Sequence, residues 1–238
     1  MNIAVIVIYL ASALIIPAAA YFIMKARPKS YFVGCGTFFV FALVLESAIN
    51  AAVSTFFPKA FENIWFYAVY GGLMAGVFEE VGRFIAFSTL LKKDLENDRT
   101  ALSYGAGHGG MEAFMVLASV VLNIFIASTV TGEEYREAID MYMSIGFSDA
   151  LIAVVERLFA IAVHISLSVV VFFGAKKKKP AFLFLAIALH AVFDGAVVLI
   201  NNFFGIIWAE VATAVLTAML AWLCYTLWKG AHERADIR

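Results

Sequence analysis

The sequence predicts an all-α polytopic membrane protein: a bundle of seven transmembrane helices, with a short interfacial helix between spans four and five. Three observations carry that reading. AVILMFWYC residues fill 63% of the 238 positions and DEKR residues only 15%, against about 45–50% apolar and about 25% charged in a soluble domain. Seven runs reach the roughly 20 apolar residues that a helix needs to cross a hydrocarbon core of about 30 Å. The basic residues outside those runs gather on one side once the runs alternate in direction.

The runs are 3–24, 31–54, 62–91, 101–129, 149–174, 180–202 and 205–228. Pro17 interrupts the first, which a membrane helix tolerates. Ala18-Ala19-Ala20 resembles a signal-peptide cleavage site, but the segment has no basic residues ahead of it and three behind it, so it reads as a retained span. Between runs four and five, Tyr135, Ile139 and Tyr142 recur at helical spacing among Glu133, Glu134, Arg136, Glu137 and Asp140, the pattern of a helix lying on the membrane surface. Lys25, Arg27 and Lys29 follow run one; Lys92, Lys93 and Arg99 follow run three; Lys176 to Lys179 follow run five; Lys229, Arg234 and Arg238 follow run seven. The opposite ends carry only Lys59 and Arg136. The positive-inside rule therefore places the N-terminus outside and the C-terminus in the cytoplasm of a plasma membrane. Residues 1–238 read as a single transmembrane domain.

The same composition argues against a soluble enzyme, a secreted disulfide scaffold and a nucleic-acid binder. Net charge is −1, which gives no global attraction to nucleic acid. Cys35 and Cys224 sit in apolar runs as small hydrophobes. Trp208, Trp222 and Trp228 read as interface or lipid-facing residues, and His232 as part of a solvated tail.

What remains inside the runs carries the chemistry: Glu46, Glu79, Glu80, Arg83, His108, Glu112, Glu156, Arg157, His164, His190 and Asp194. A charge at the centre of a membrane helix costs about 2.5–3.5 kcal/mol on insertion scales, so this many ionisable groups require an interior where they satisfy one another. Counted from the basic ends, Glu79, Glu80, His108, His164 and His190 fall about 10–18 Å deep at about 1.5 Å per residue, in one layer contributed by four helices. Facing agrees. His108 with Glu112, and His190 with Asp194, are spaced i,i+4; Arg157 and His164 are i,i+7; Arg83 can pair with either Glu79 or Glu80. Glu46 and Asn50 repeat the i,i+4 pattern on run two, and adjacent Glu156 and Arg157 suit a structural ion pair. Gly71, Gly72 and Gly76 precede the glutamates, and Gly105, Gly107, Gly109 and Gly110 surround His108; small residues let membrane helices approach closely. The glycines around His108 follow no strand and lead to no GK[ST], so they are not a phosphate loop.

Three imidazoles and paired carboxylates at one depth suit a Zn²⁺ site, with His108, His164 and His190 as ligands and a water in the fourth position. Either Glu79 or Glu80 would be the general base, the other being oriented by Arg83. Asp194 or Glu112 would fix a ligand imidazole or complete the coordination sphere. The reaction expected of such a set is hydrolysis of a peptide bond in a peptide or membrane-protein substrate, near the cytoplasmic leaflet.

At these residues the sequence resembles the YhfC-type family of intramembrane metalloproteases. The matching pieces are Glu79-Glu80 with Arg83, Gly107-His108 with Glu112, Glu156-Arg157 followed by His164, and His190 with Asp194. More distantly it is similar to PrsW-type proteases and to the CAAX-protease and bacteriocin-processing group, although Arg83 comes one residue earlier than in that group's EExxxR pattern. The resemblance implies proteolysis in a bacterial or archaeal membrane, Glu79 and Glu80 as the catalytic pair, His108 and His190 as shared active-site histidines, and Asp194 in the group's Asn/Asp position. His164 has no counterpart in the wider group's short pattern. Two other functions fit the same residues: a proton- or ion-coupled transporter using the His/Glu/Asp cluster as a relay, and a seven-helix ligand-binding protein without catalysis.

Overall fold

The computed structural model describes residues 3–233. Arg234 and Arg238 of the basic tail lie outside the described residues, as does the side chain of His232. The described residues form helices joined by short turns, in the order α1 (Ile3–Ile23), α2 (Pro28–Phe38), a π-helical segment (Phe39–Glu46), α3 (Ser47–Phe56), α4 (Ile64–Ser88), α5 (Arg99–Thr129), α6 (Arg136–Ser144), α7 (Phe147–Lys177), α8 (Ala181–Phe204) and α9 (Ile206–Glu233). α2, the π segment and α3 run on as one 29-residue apolar helix.

Six of these helices are both long and apolar enough to cross a membrane: α1, the α2–α3 unit, α5, α7, α8 and α9. The seventh span expected from the sequence is α4. It is 25 residues long but carries Glu79, Glu80 and Arg83, whose charges reduce its mean hydropathy. It is about as long as α8, at 24 residues, and its polarity comes from three of the residues that build the site.

Local sequence sets the boundaries. Asn63 caps α4 by accepting hydrogen bonds from the Trp65 and Phe66 amides at 2.9 and 3.2 Å. Asp149 accepts from the Gly146 amide at the start of α7. Lys178, at φ 53°, ends α7 in the left-handed conformation, and Gly205, at φ 86°, turns the chain from α8 into α9. At one end of the bundle Asp94 accepts from Arg27 at 3.2 Å and from Lys29 at 2.6 Å, while Lys176 pairs with Asp98 at 2.6 Å. The basic loops after α1, α4 and α7 are therefore side by side, as strict alternation requires. The segment after α5 forms a 3₁₀ turn (Glu133–Tyr135) and then α6, which packs back on the end of α5.

α5 is central. It packs on α1, on α2 and on α7, while α4 pairs with α8 and reaches α7 and the π segment. Two glycines show how close these seams are. A Cβ at Gly72 would lie 2.5 Å from the Ala191 carbonyl oxygen across the α4–α8 seam, and one at Gly105 would lie 2.5 Å from the Ile165 Cα across the α5–α7 seam. Only hydrogen fits at either position, so the backbones approach far enough for polar side chains one to two turns away to meet. Toward the basic end the interior is filled by Phe87, Leu91, Tyr104, Leu167, Phe172 and Phe173, each at most 2% exposed.

Candidate functional site

Just beyond that apolar plug, four helices contribute the polar layer. α4 brings Glu79, Glu80 and Arg83; α5 brings His108 and Glu112; α7 brings Arg157 and His164; α8 brings His190 and Asp194. Eight of the nine make hydrogen bonds to one another, and Asp194 lies 3.4 Å from His190.

The adjacent glutamates have separate tasks. Glu80 is fully buried, and both its oxygens accept from Arg83 Nη1, at 2.9 and 2.8 Å. Its Oε1 also faces His190 Nδ1 at 2.8 Å. Glu79 points about 100° away, as the helical step dictates. Its Oε2 lies 2.9 Å from His108 Nε2 and 3.7 Å from His164 Nδ1. The sequence alone allows Arg83 to pair with either glutamate; in the structure it pairs with Glu80.

His164 is held from both sides. Arg83 Nη2 lies 3.1 Å from Nδ1, and because a guanidinium only donates, Nδ1 is the acceptor. Nε2–H then donates to Glu112, whose other oxygen accepts from Arg157 Nη1. Arg157 Nη2 donates to Glu156 at 2.6 Å. The Glu156–Arg157 pair expected from the sequence thus extends across helices to Glu112.

The three histidines form a row. Ring centroids are 4.8 Å apart for His108 and His164, and 5.8 Å for His164 and His190. The donors that converge are Glu79, His108 and His164, all buried, each offering one ligand atom within 4.8 Å of the others. A tetrahedral Zn²⁺ with bonds of about 2.0–2.1 Å holds its donors about 3.4 Å apart. The 2.9 and 3.7 Å separations bracket that spacing. His190 is outside this group, with Glu80 against Nδ1 and Asp194 Oδ2 3.4 Å from Nε2. The structure therefore assembles a carboxylate and two imidazoles, where the sequence reading grouped three imidazoles.

A cavity of about 320 Å³ meets the cluster. Glu79, Glu112, Arg157, His164, His190 and Asp194 line it; Glu80, Arg83 and His108 do not. Asp194 is the most accessible acid of the layer, its side chain 38% exposed, against 9% for Glu79 and 17% for Glu112.

Sequence reasoning passed over one polar link. Tyr70 donates to Asn50 at 2.9 Å, and Asn50 donates to Glu46 at 3.1 Å, joining α4 to α3 and to the end of the π segment. The i,i+4 spacing of Glu46 and Asn50 was visible, but their partner lies 20 residues farther on and has no periodic relation to them.

The profile of a family described as YhfC intramembrane metalloprotease matches residues 11–217, a range that includes every residue of the polar layer. The chain is also 32% identical over 213 residues to a protein of Bacillus subtilis (strain 168) described as "Uncharacterized membrane protein YhfC", with 82% of this chain and 81% of the relative covered. No solved structure matches the chain at a significant level.

Proposed function

The chain belongs to the YhfC intramembrane metalloprotease family, and from that premise we propose that it hydrolyses a peptide bond of a peptide or membrane-protein substrate within the bilayer, at a centre built on Glu79, His108 and His164. The observation that carries this reading is the convergence of those three buried side chains, two of which, Glu79 and His164, line the adjoining cavity.

The donor set fits a catalytic zinc: two imidazoles and a carboxylate are one of the standard three-ligand combinations, and the adjoining cavity leaves room for water in the fourth position. When bound there, zinc supplies a water of lowered pKa and an electrophile for the scissile carbonyl. The lone pair of His164 Nδ1 is shared with Arg83, so ligation requires that hydrogen bond to yield. Glu80 keeps the guanidinium in place through its own two bonds when it does.

The remaining residues position and move protons. Glu112 accepts from His164 Nε2–H and is itself neutralised by Arg157, which holds the His164 ring in one orientation. Asp194 reaches the cavity beside His190 and takes a proton from a water there; His190, braced by Glu80 at Nδ1, receives that proton from Asp194 on Nε2 and passes it to the leaving amine. Glu80 and Arg83 do not touch the cavity. They are positioning residues for His190 and His164. On this assignment Glu79, not Glu80, is the glutamate that meets the reacting groups. A relay running through the protein, as a carrier needs, has less support, because the apolar plug fills the bundle on the basic side of the cluster.

The test is a paired substitution in purified, detergent-solubilised protein and in the membranes of an expression host. Glu79→Gln is expected to abolish both bound zinc, about one per chain in the native protein, and the appearance of new membrane-protein fragments. Glu80→Gln is expected to retain the metal with reduced turnover. Full cleavage by Glu79→Gln would remove the proposed centre.

A further inference from the structure

The cavity extends from the centre in one direction only. On α4 it runs from Glu79 back to Tyr67, twelve residues or about 18 Å, ending three residues from the start of the helix. On α7 it runs from His164 back through Ala160 to Glu156, toward that helix's start. On α8 it runs forward from His190 to Val198, toward that helix's end, and on α9 it includes Thr213, near the start. These four helix ends lie together, opposite the end where Arg27, Lys29, Asp94, Asp98 and Lys176 are paired. In the other direction the bundle is closed by side chains at most 2% exposed, among them Phe87, Leu91, Tyr104, Phe172 and Phe173.

We infer that water and substrate reach the centre from the end remote from the basic loops, and that the substrate is a peptide segment presented on that face of the membrane. This rests on the proteolytic reading for the identity of the substrate, but not for the route. The walls agree with such an occupant. Gly71, where a Cβ would meet nothing within 4 Å, and the small side chain of Ala160 leave room for a main chain, while Arg157, Glu156 and Asp194 supply the polar groups that an extended segment must find once it leaves water. Taken with the distribution of lysines and arginines, which assigns the basic loops to the cytoplasm, the segment comes from the outer half of a membrane span or from the extracytoplasmic space.

The route is tested by thiol labelling, which needs no hydrolysis. In full-length protein with Cys35 and Cys224 replaced by Ala, single cysteines are placed at Ala160 in the cavity, at Val198 near its mouth, at Lys178 on the basic end and at Lys59 on the other. A membrane-impermeant maleimide is added to either face of sealed vesicles of uniform orientation. Ala160→Cys and Val198→Cys are expected to label from the face that labels Lys59→Cys, at least about tenfold faster than from the face that labels Lys178→Cys. Labelling from the Lys178 face, equal labelling from both, or protection from both would overturn the inference. The pattern is expected to persist when Glu79→Gln is added, because the route does not depend on hydrolysis; a one-sided pattern together with no cleavage by protein that keeps Glu79 would sink the protease reading alone.

Discussion

Arg83 is the residue whose removal has the most sharply defined consequence. Its side chain is fully buried, as is that of Glu80, and it makes two hydrogen bonds to that carboxylate and one to His164. Arg83→Met keeps most of the volume and removes the charge, leaving Glu80 with only His190 as a partner. Breaking a buried ion pair by deleting one member costs about 3–5 kcal/mol, because the other charge stays desolvated. Glu80→Gln alone strands the guanidinium and costs a similar amount. The double variant Glu80→Gln, Arg83→Met has no charge to strand. The side-chain carbonyl of the introduced amide still accepts from His190, and its amino group goes unpaired, at about 1–3 kcal/mol. The cycle therefore predicts a coupling of at least about 3 kcal/mol. Unfolding by denaturing detergent in bicelles, followed by circular dichroism, measures all four proteins. A double variant as unstable as the sum of the single variants would refute the pairing of Arg83 with Glu80 and return Arg83 to Glu79.

Four further outcomes are expected. Gly107→Ala places a Cβ 1.9 Å from the Tyr31 carbonyl oxygen and should destabilise by about 1–3 kcal/mol or more as α2 is pushed from α5. Gly36→Ala, with nothing within 4 Å, should be neutral or stabilise by about 0.5–1 kcal/mol in the same unfolding assay. Tyr31→Phe removes the hydroxyl that donates to the Pro17 carbonyl at 2.9 Å and should cost about 1 kcal/mol there. Asp194→Asn should lower turnover of a cleaved substrate by about 10²–10⁴-fold while zinc content stays unchanged, since Asp194 faces the cavity but stands outside the donor group.

Much of this architecture was legible in the sequence because a bilayer imposes a strong rule. Apolar runs of fixed length, with lysines and arginines on alternate turns, located the long helices to within a few residues. Depth could also be counted along each run, which placed Glu79, Glu80, His108, His164 and His190 in one layer before any contact was known. Glu112 and Arg157 were on the correct faces, by i,i+4 and i,i+7 spacing from their histidines. Rotation about the helix axes was not legible. Adjacent glutamates point to different neighbours: Glu80 meets Arg83 and His190 of α8, and Glu79 meets His108 of α5, contacts set by the packing of neighbouring helices and not by spacing along α4. The same ambiguity let the sequence group His190 with His108 and His164, whereas in the structure Glu80 faces its Nδ1 at 2.8 Å and Asp194 lies 3.4 Å from its Nε2. The π segment Phe39–Glu46 has no sequence pattern that distinguishes it from an apolar α-helix. The direction of the cavity depends on which seams are filled by Phe and which by Gly and Ala, a property of pairs of helices and not of any one run.

The central claim is that Glu79, His108 and His164 form the centre while His190 stands beside it. Zinc-edge X-ray absorption of the metal-loaded protein reads that set directly. The account predicts two imidazole nitrogens and oxygen ligands, with a spectrum that does not change in His190→Ala and loses one imidazole in His164→Ala. A native spectrum with three imidazoles, one of them lost in His190→Ala, would contradict it.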